Sequence, residues 1–88
     1  MTVEEKIEEM GFEDVVIFKD PDYEEAFIGC SSDGCAVYDY NLMIESLMKE
    51  DNMTDLEAME YIDYNTLRAI PYFDKEGNGA PIVLHKYE

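Results

Sequence analysis

Apolar and polar residues alternate with a period that changes along the chain, and the changes mark helices and strands. Val3, Ile7 and Met10 share one narrow helical stripe; Thr2 with Glu5 forms a capping box before it and Gly11 is a stop after it, so a first helix is expected over Val3–Met10. Residues 15–18, Val-Val-Ile-Phe, suit a pleated backbone, and Asp20-Pro21-Asp22 reads as a turn. Residues 25–30 are expected as the returning strand, residues 31–34 as a second turn and residues 35–38 as the third strand of a meander. Asp39 then caps a second helix whose Tyr40, Met43, Ile44, Leu47 and Met48 form one buried face. Thr54 and Glu57 make another capping box, opening a third helix with Leu56, Met59 and Ile62 that loses phase at Asp63-Tyr64-Asn65. Residues 66–70 add a short turn of helix before Pro71, and Gly77-Asn78-Gly79 leads into a last strand at residues 82–86.

These elements predict an α+β domain of order α-β-β-β-α-α-β: an antiparallel sheet of about four strands with the second and third helices on one face. The place of the last strand is left open. Pairing Cys30 with Cys35 across the second turn sets Ile28 against Val37 and Phe27 against Tyr38. With Phe18 opposite Glu25, one face carries Val15, Ile17, Ala26, Ile28 and Val37, and the other Val16, Phe18, Phe27 and Tyr38. The first face suits the helices. The second needs cover from the first helix, a partner or a second copy, which makes Val16, Phe18, Phe27 and Tyr38 a candidate homodimer face.

At 88 residues, 47% of them hydrophobic, the chain fits one domain, residues 1–88, and folds rather than remaining an acidic tail. Six Lys and Arg against 22 Asp and Glu give a net charge of -16, which argues against direct binding to nucleic acid or anionic lipid and points to a basic protein partner. The start is acidic rather than signal-like, and no apolar run approaches the roughly 20 residues of a membrane span, so a cytoplasmic protein with reduced Cys30 and Cys35 is expected.

Chemistry is thinly represented. Asp20, Asp22 and Glu24 match the spacing of the first ligands of a calcium loop, but Glu25 stands where that loop needs Gly and Ser31 where it needs Glu. His85 is the one histidine, the cysteines lie too far apart for a CxxC motif, and Gly77-Asn78-Gly79 opens no helix and has no Lys after it. The expectation is therefore a non-enzyme without cofactor or metal. What stands out is carboxylate density: a domain about 31 Å across carrying this charge has about one per 1.9 Å, against roughly one per 1.7 Å of duplex DNA. Asp20, Asp22, Glu24 and Glu25, with Glu50, Asp51, Asp55, Glu57, Glu60 and Asp63, are the candidate partner-binding residues. A solubilising surface is the plainer account of the same residues.

The stretch Met53-Thr54-Asp55-Leu56-Glu57-Ala58-Met59-Glu60-Tyr61-Ile62-Asp63-Tyr64-Asn65-Thr66, continuing to Ala80-Pro81-Ile82, resembles the C-terminal half of small acidic proteins encoded by bacterial phages and mobile elements. In size and charge the chain is also similar to anti-CRISPR proteins, several of which occupy the nucleic-acid groove of a CRISPR effector. The resemblance implies an inhibitor that mimics nucleic acid on the basic surface of a host defence protein, in the bacterial cytoplasm. The alternative is a structural or assembly protein of a phage or mobile element, joined through an apolar sheet face.

Overall fold

A computed structural model describes residues 2–73 and 77–87. The fold is α+β, with three α-helices and a three-stranded mixed sheet of order β1-β2-β3 among the described residues. Helix α1 (Val3–Met10) forms where the sequence places it: the Thr2 hydroxyl accepts the Glu5 N–H, the Glu5 carboxylate accepts the Thr2 N–H, and left-handed Gly11 closes the last turn. The Thr2 amide and hydroxyl hold the Glu5 carboxyl below its ordinary range. Val3 and Ile7 are buried, and the Met10 side chain reaches the backbone at Gly29.

Residues 15–18 are not a strand. The hairpin expected to pair Phe18 with Glu25 is absent because the connecting residues are used differently: Tyr23 is left-handed, and Glu24–Ala26 coil into a 3-10 turn. Strand β1 consequently begins only at Phe27 and runs to Cys30. It pairs antiparallel with β2 (Ala36–Asp39), Phe27 opposite Tyr38 as expected, but a bulge at Ile28 moves Gly29 opposite Val37 and Cys30 opposite Ala36. Ile28 is thereby turned outward and is 48% exposed.

The third place in the sheet is taken by β3 (Ile82–Leu84), which runs parallel to β2 rather than antiparallel and ends short of the expected Lys86. A parallel neighbour requires a long crossover, and α2, α3 and the segment after them supply it. Helix α2 (Tyr40–Glu50) starts directly from β2, Asp39 accepting the Leu42 N–H. Helix α3 (Asp55–Tyr61) has the Thr54–Glu57 capping box. At the point where the apolar stripe loses phase the chain stays helical but widens to a π-helix, Ile62–Leu67, before a 3-10 turn, Ile70–Phe73.

One core joins these parts: Phe18, Tyr23, Ala26, Ala36, Tyr38, Met43, Leu47, Ala58 and Ile62 are all buried together. The buried stripe of α3 and the π segment is Ala58, Ile62 and Thr66; Leu56 and Met59, expected inside, face out at 62% and 40% exposure. Ala58 has so small a side chain that α3 can approach α2 closely at that point.

The premise of the homodimer face, that these four side chains lie together uncovered on one side of the sheet, is corrected. Phe18, Phe27 and Tyr38 do gather, with ring centroids 4.8 Å apart for Phe18–Tyr38 and 5.7 Å for Phe27–Tyr38, but they gather in the core. Phe18 is 5% exposed and Tyr38 0%, while Phe27 and Val16 are half-buried, so no second copy is needed to cover them. Phe18 and Tyr38 pack instead in one cluster with Met43 and Leu47 of α2.

Candidate binding surface

The carboxylates singled out by the sequence are solvent-facing: Asp20, Asp22, Glu25, Glu50, Asp51, Asp55, Glu57, Glu60 and Asp63 are exposed, and Glu24 is half-buried. Two local devices fix the first cluster. The Asp22 side chain accepts the Glu24 N–H at 3.2 Å, and the 3-10 turn that follows packs against α2. That contact brings Glu25 to the last turn of α2, where Lys49 Nζ lies 3.5 Å from its carboxylate, so two acidic runs far apart in sequence meet in space. Asp51 lies near enough to Tyr23, and Asp22 to Tyr38, for their charges to help raise those phenols.

Glu57 has a second occupation. Its carboxylate accepts the Thr54 N–H at 2.9 Å, closing the α3 capping box, so its charge serves the helix terminus as well as the surface. Glu60 and Asp63 follow along the same side of the chain as the exposed Leu56 and Met59, and Tyr64 beyond them is 63% exposed. Carboxylates and large apolar groups are therefore interleaved over residues 55–64. Sequence periodicity had assigned Leu56 and Met59 to the core. Ala58 takes the inward position between them, in a core packed without voids.

The residues weighed for catalysis each have a contact of their own. Cys35 Sγ donates to the Asn78 carbonyl at 3.3 Å, and His85 stacks on Tyr40 with centroids 4.3 Å apart. Cys30 and Cys35 are free thiols, and burial, with a contribution from Cys35, pushes the Cys30 thiol up, away from the thiolate a nucleophile needs. Burial also raises the Tyr40 phenol, Asp63 adding to it. Among the described residues no group of three His, Cys, Asp or Glu side chains could hold a metal ion. None of the helices among them is long and apolar enough to cross a membrane.

Two features escaped the sequence reading. Asn78 is a clasp: its backbone N–H donates to Asp14 O at 3.0 Å and its side-chain amide to Glu13 O at 2.6 Å and Gly34 O at 3.3 Å, tying three loops together. Gly77 beside it is left-handed, and a Cβ there would run into the Asp14 carbonyl. The second feature is a groove of about 580 Å³ between residues 15–21 and the π segment, floored by Phe18 and Tyr23 and walled by Tyr61, Thr66 and Phe73. At its base the Tyr23 and Thr66 hydroxyls share a 2.6 Å hydrogen bond. The π geometry supplies part of this wall, as such insertions often do at binding sites. No family model, curated protein or solved structure matches this chain.

Proposed function

We propose that this is a binding protein rather than an enzyme, and that the surface running from the Asp20–Glu25 turn across the end of α2 to residues 55–63 engages a basic surface on a protein partner. One observation carries the reading: Leu56 and Met59 stand exposed among Asp55, Glu57, Glu60 and Asp63. A coat that only keeps a protein soluble gains nothing from exposed leucine and methionine, whereas an apolar centre with a charged rim is the ordinary anatomy of an interface. The partner class that fits is a nucleic-acid-binding protein, whose Lys and Arg would exchange phosphate for carboxylate. The resemblance to mobile-element proteins makes a host defence protein of a bacterial cell the proposed target, and inhibition by nucleic-acid mimicry the proposed outcome.

Electrostatic attraction would speed the encounter and weaken with salt, while the apolar residues would slow dissociation. The test is affinity capture from a bacterial extract, followed by competition between this protein and nucleic acid for the captured partner. Glu50→Lys with Glu60→Lys is the informative variant, because Glu57 also caps α3 and its loss would confuse folding with binding. Binding should fall and its salt dependence flatten. A partner with no basic groove, or unchanged binding by the double variant, sinks the mimicry.

A further inference from the structure

We infer that residues 15–19 form a strand-accepting edge, and that the groove beside them takes an extended segment of a basic protein, main chain pairing with main chain. Val15, Val16 and Ile17 have strand-forming side chains and lie half-buried along the groove. Yet their amide and carbonyl groups have no hydrogen-bond partner among the described residues. An unpaired run of main-chain groups on residues that favour a pleated backbone is the template on which an incoming strand is laid.

The run is held ready at both ends. Asp14 O accepts the Asn78 N–H at 3.0 Å, and the Phe18 N–H donates to Tyr38 Oη at 3.3 Å, so the stretch between is anchored without being used. At about 3.3 Å per residue, five residues offer at most roughly 13 Å of edge, enough for a partner segment of four or five residues. The groove volume of about 580 Å³ lies within the range of about 300–1,000 Å³ usual for ligand sites. Alternate side chains of the guest would enter it against Phe18, Phe73 and Ala69. Charge selects the guest: among the described residues Glu4 and Asp20 line the groove against one cation, Lys19, in a chain of net charge -16. The groove borders the surface proposed above, sharing Asp20 and Tyr61 with it, but the inference rests on the main chain of residues 15–17 and not on the function proposed for the carboxylates.

The test uses the whole chain, labelled with nitrogen-15, and a library of acetylated, amidated hexapeptides with Val, Ile or Phe at alternate positions and Lys, Ser or Glu between them. Lysine-bearing members should bind at least tenfold tighter than their glutamate counterparts, shift resonances of residues 15–19 and 61–69, and slow hydrogen exchange at the Val15–Ile17 amides. N-methylation of the best peptide in one of its two alternating frames should cost at least tenfold in affinity, while N-methylation in the other frame changes it by less than threefold. The inference is overturned if no peptide shifts those resonances at millimolar concentration, if both N-methylated forms bind as well as the parent, or if the Val15–Ile17 amides are already protected in a self-associated form seen by sedimentation.

Discussion

Replacing Tyr23 by phenylalanine should make the protein less stable at neutral pH and more stable in strong alkali than the parent. Tyr23 is 2% exposed and its hydroxyl bonds Thr66 at 2.6 Å; the deletion leaves Thr66 without that partner at a cost of about 1 kcal/mol. The same burial pushes the Tyr23 phenol from 10.0 to about 12, with the nearby Tyr61 and Asp51 adding to the rise and the Thr66 hydrogen bond opposing it. An unfolded tyrosine releases its proton near pH 10, whereas the folded one holds it to about pH 12. Between those values the unfolded state binds fewer protons, so stability present below pH 10 is lost as pH rises, by up to about 1.4 kcal/mol per unit. The phenylalanine of the variant has no proton to lose. Tyr38, raised to about 12 by the same cause, titrates in both proteins and cancels in the comparison. The parent's advantage of about 1 kcal/mol should therefore vanish near about pH 11 and reverse above it. Urea unfolding followed by circular dichroism from pH 7 to 11.5, with tyrosinate absorbance read alongside, measures both curves. A gap that stays constant over the whole range would refute the reasoning, since it would mean that Tyr23 ionises alike in both states.

Asn78→Ala removes two side-chain hydrogen bonds that join loops, and should cost about 1–2 kcal/mol in denaturant unfolding; an unchanged midpoint would show that the clasp contributes nothing. Gly77→Ala should be worse than that, because it adds a positive-φ penalty to a collision with the Asp14 carbonyl, and a fold as stable as the parent's would contradict this account of the loop. Thr54→Ala should lower stability by about 1 kcal/mol through loss of the α3 cap, whereas Leu56→Ala, two residues on but 62% exposed, should lie within about 0.5 kcal/mol of the parent. Raising salt should stabilise the free protein: at 0.01 M the screening length of about 30 Å spans the molecule, and at 0.1 M it is about 10 Å, so the melting temperature should climb between those conditions and a flat profile would argue against strong self-repulsion.

Sequence alone determined the features that depend on neighbours in the chain. The Thr2–Glu5 and Thr54–Glu57 boxes, the Asp39 cap and the Gly11 stop act within four residues, so α1, α2 and α3 begin at the expected places. The acidic character of the surface was equally legible, because so many carboxylates cannot be buried without partners. Tertiary structure decided everything that required choosing between distant claimants. Residues 15–18 have the composition of a strand, yet Tyr23 and the 3-10 turn took up the length a hairpin needs, and β3 filled the remaining place beside β2 in parallel. A bulge of one residue at Ile28 was enough to reassign the faces of the sheet and send Phe18 and Tyr38 inward. Periodicity counts apolar positions but does not weigh size, so it put Leu56 and Met59 in the core where close packing admitted only Ala58. The groove and the Asn78 clasp are made by residues up to 65 positions apart, and contacts of that range leave no local pattern to read.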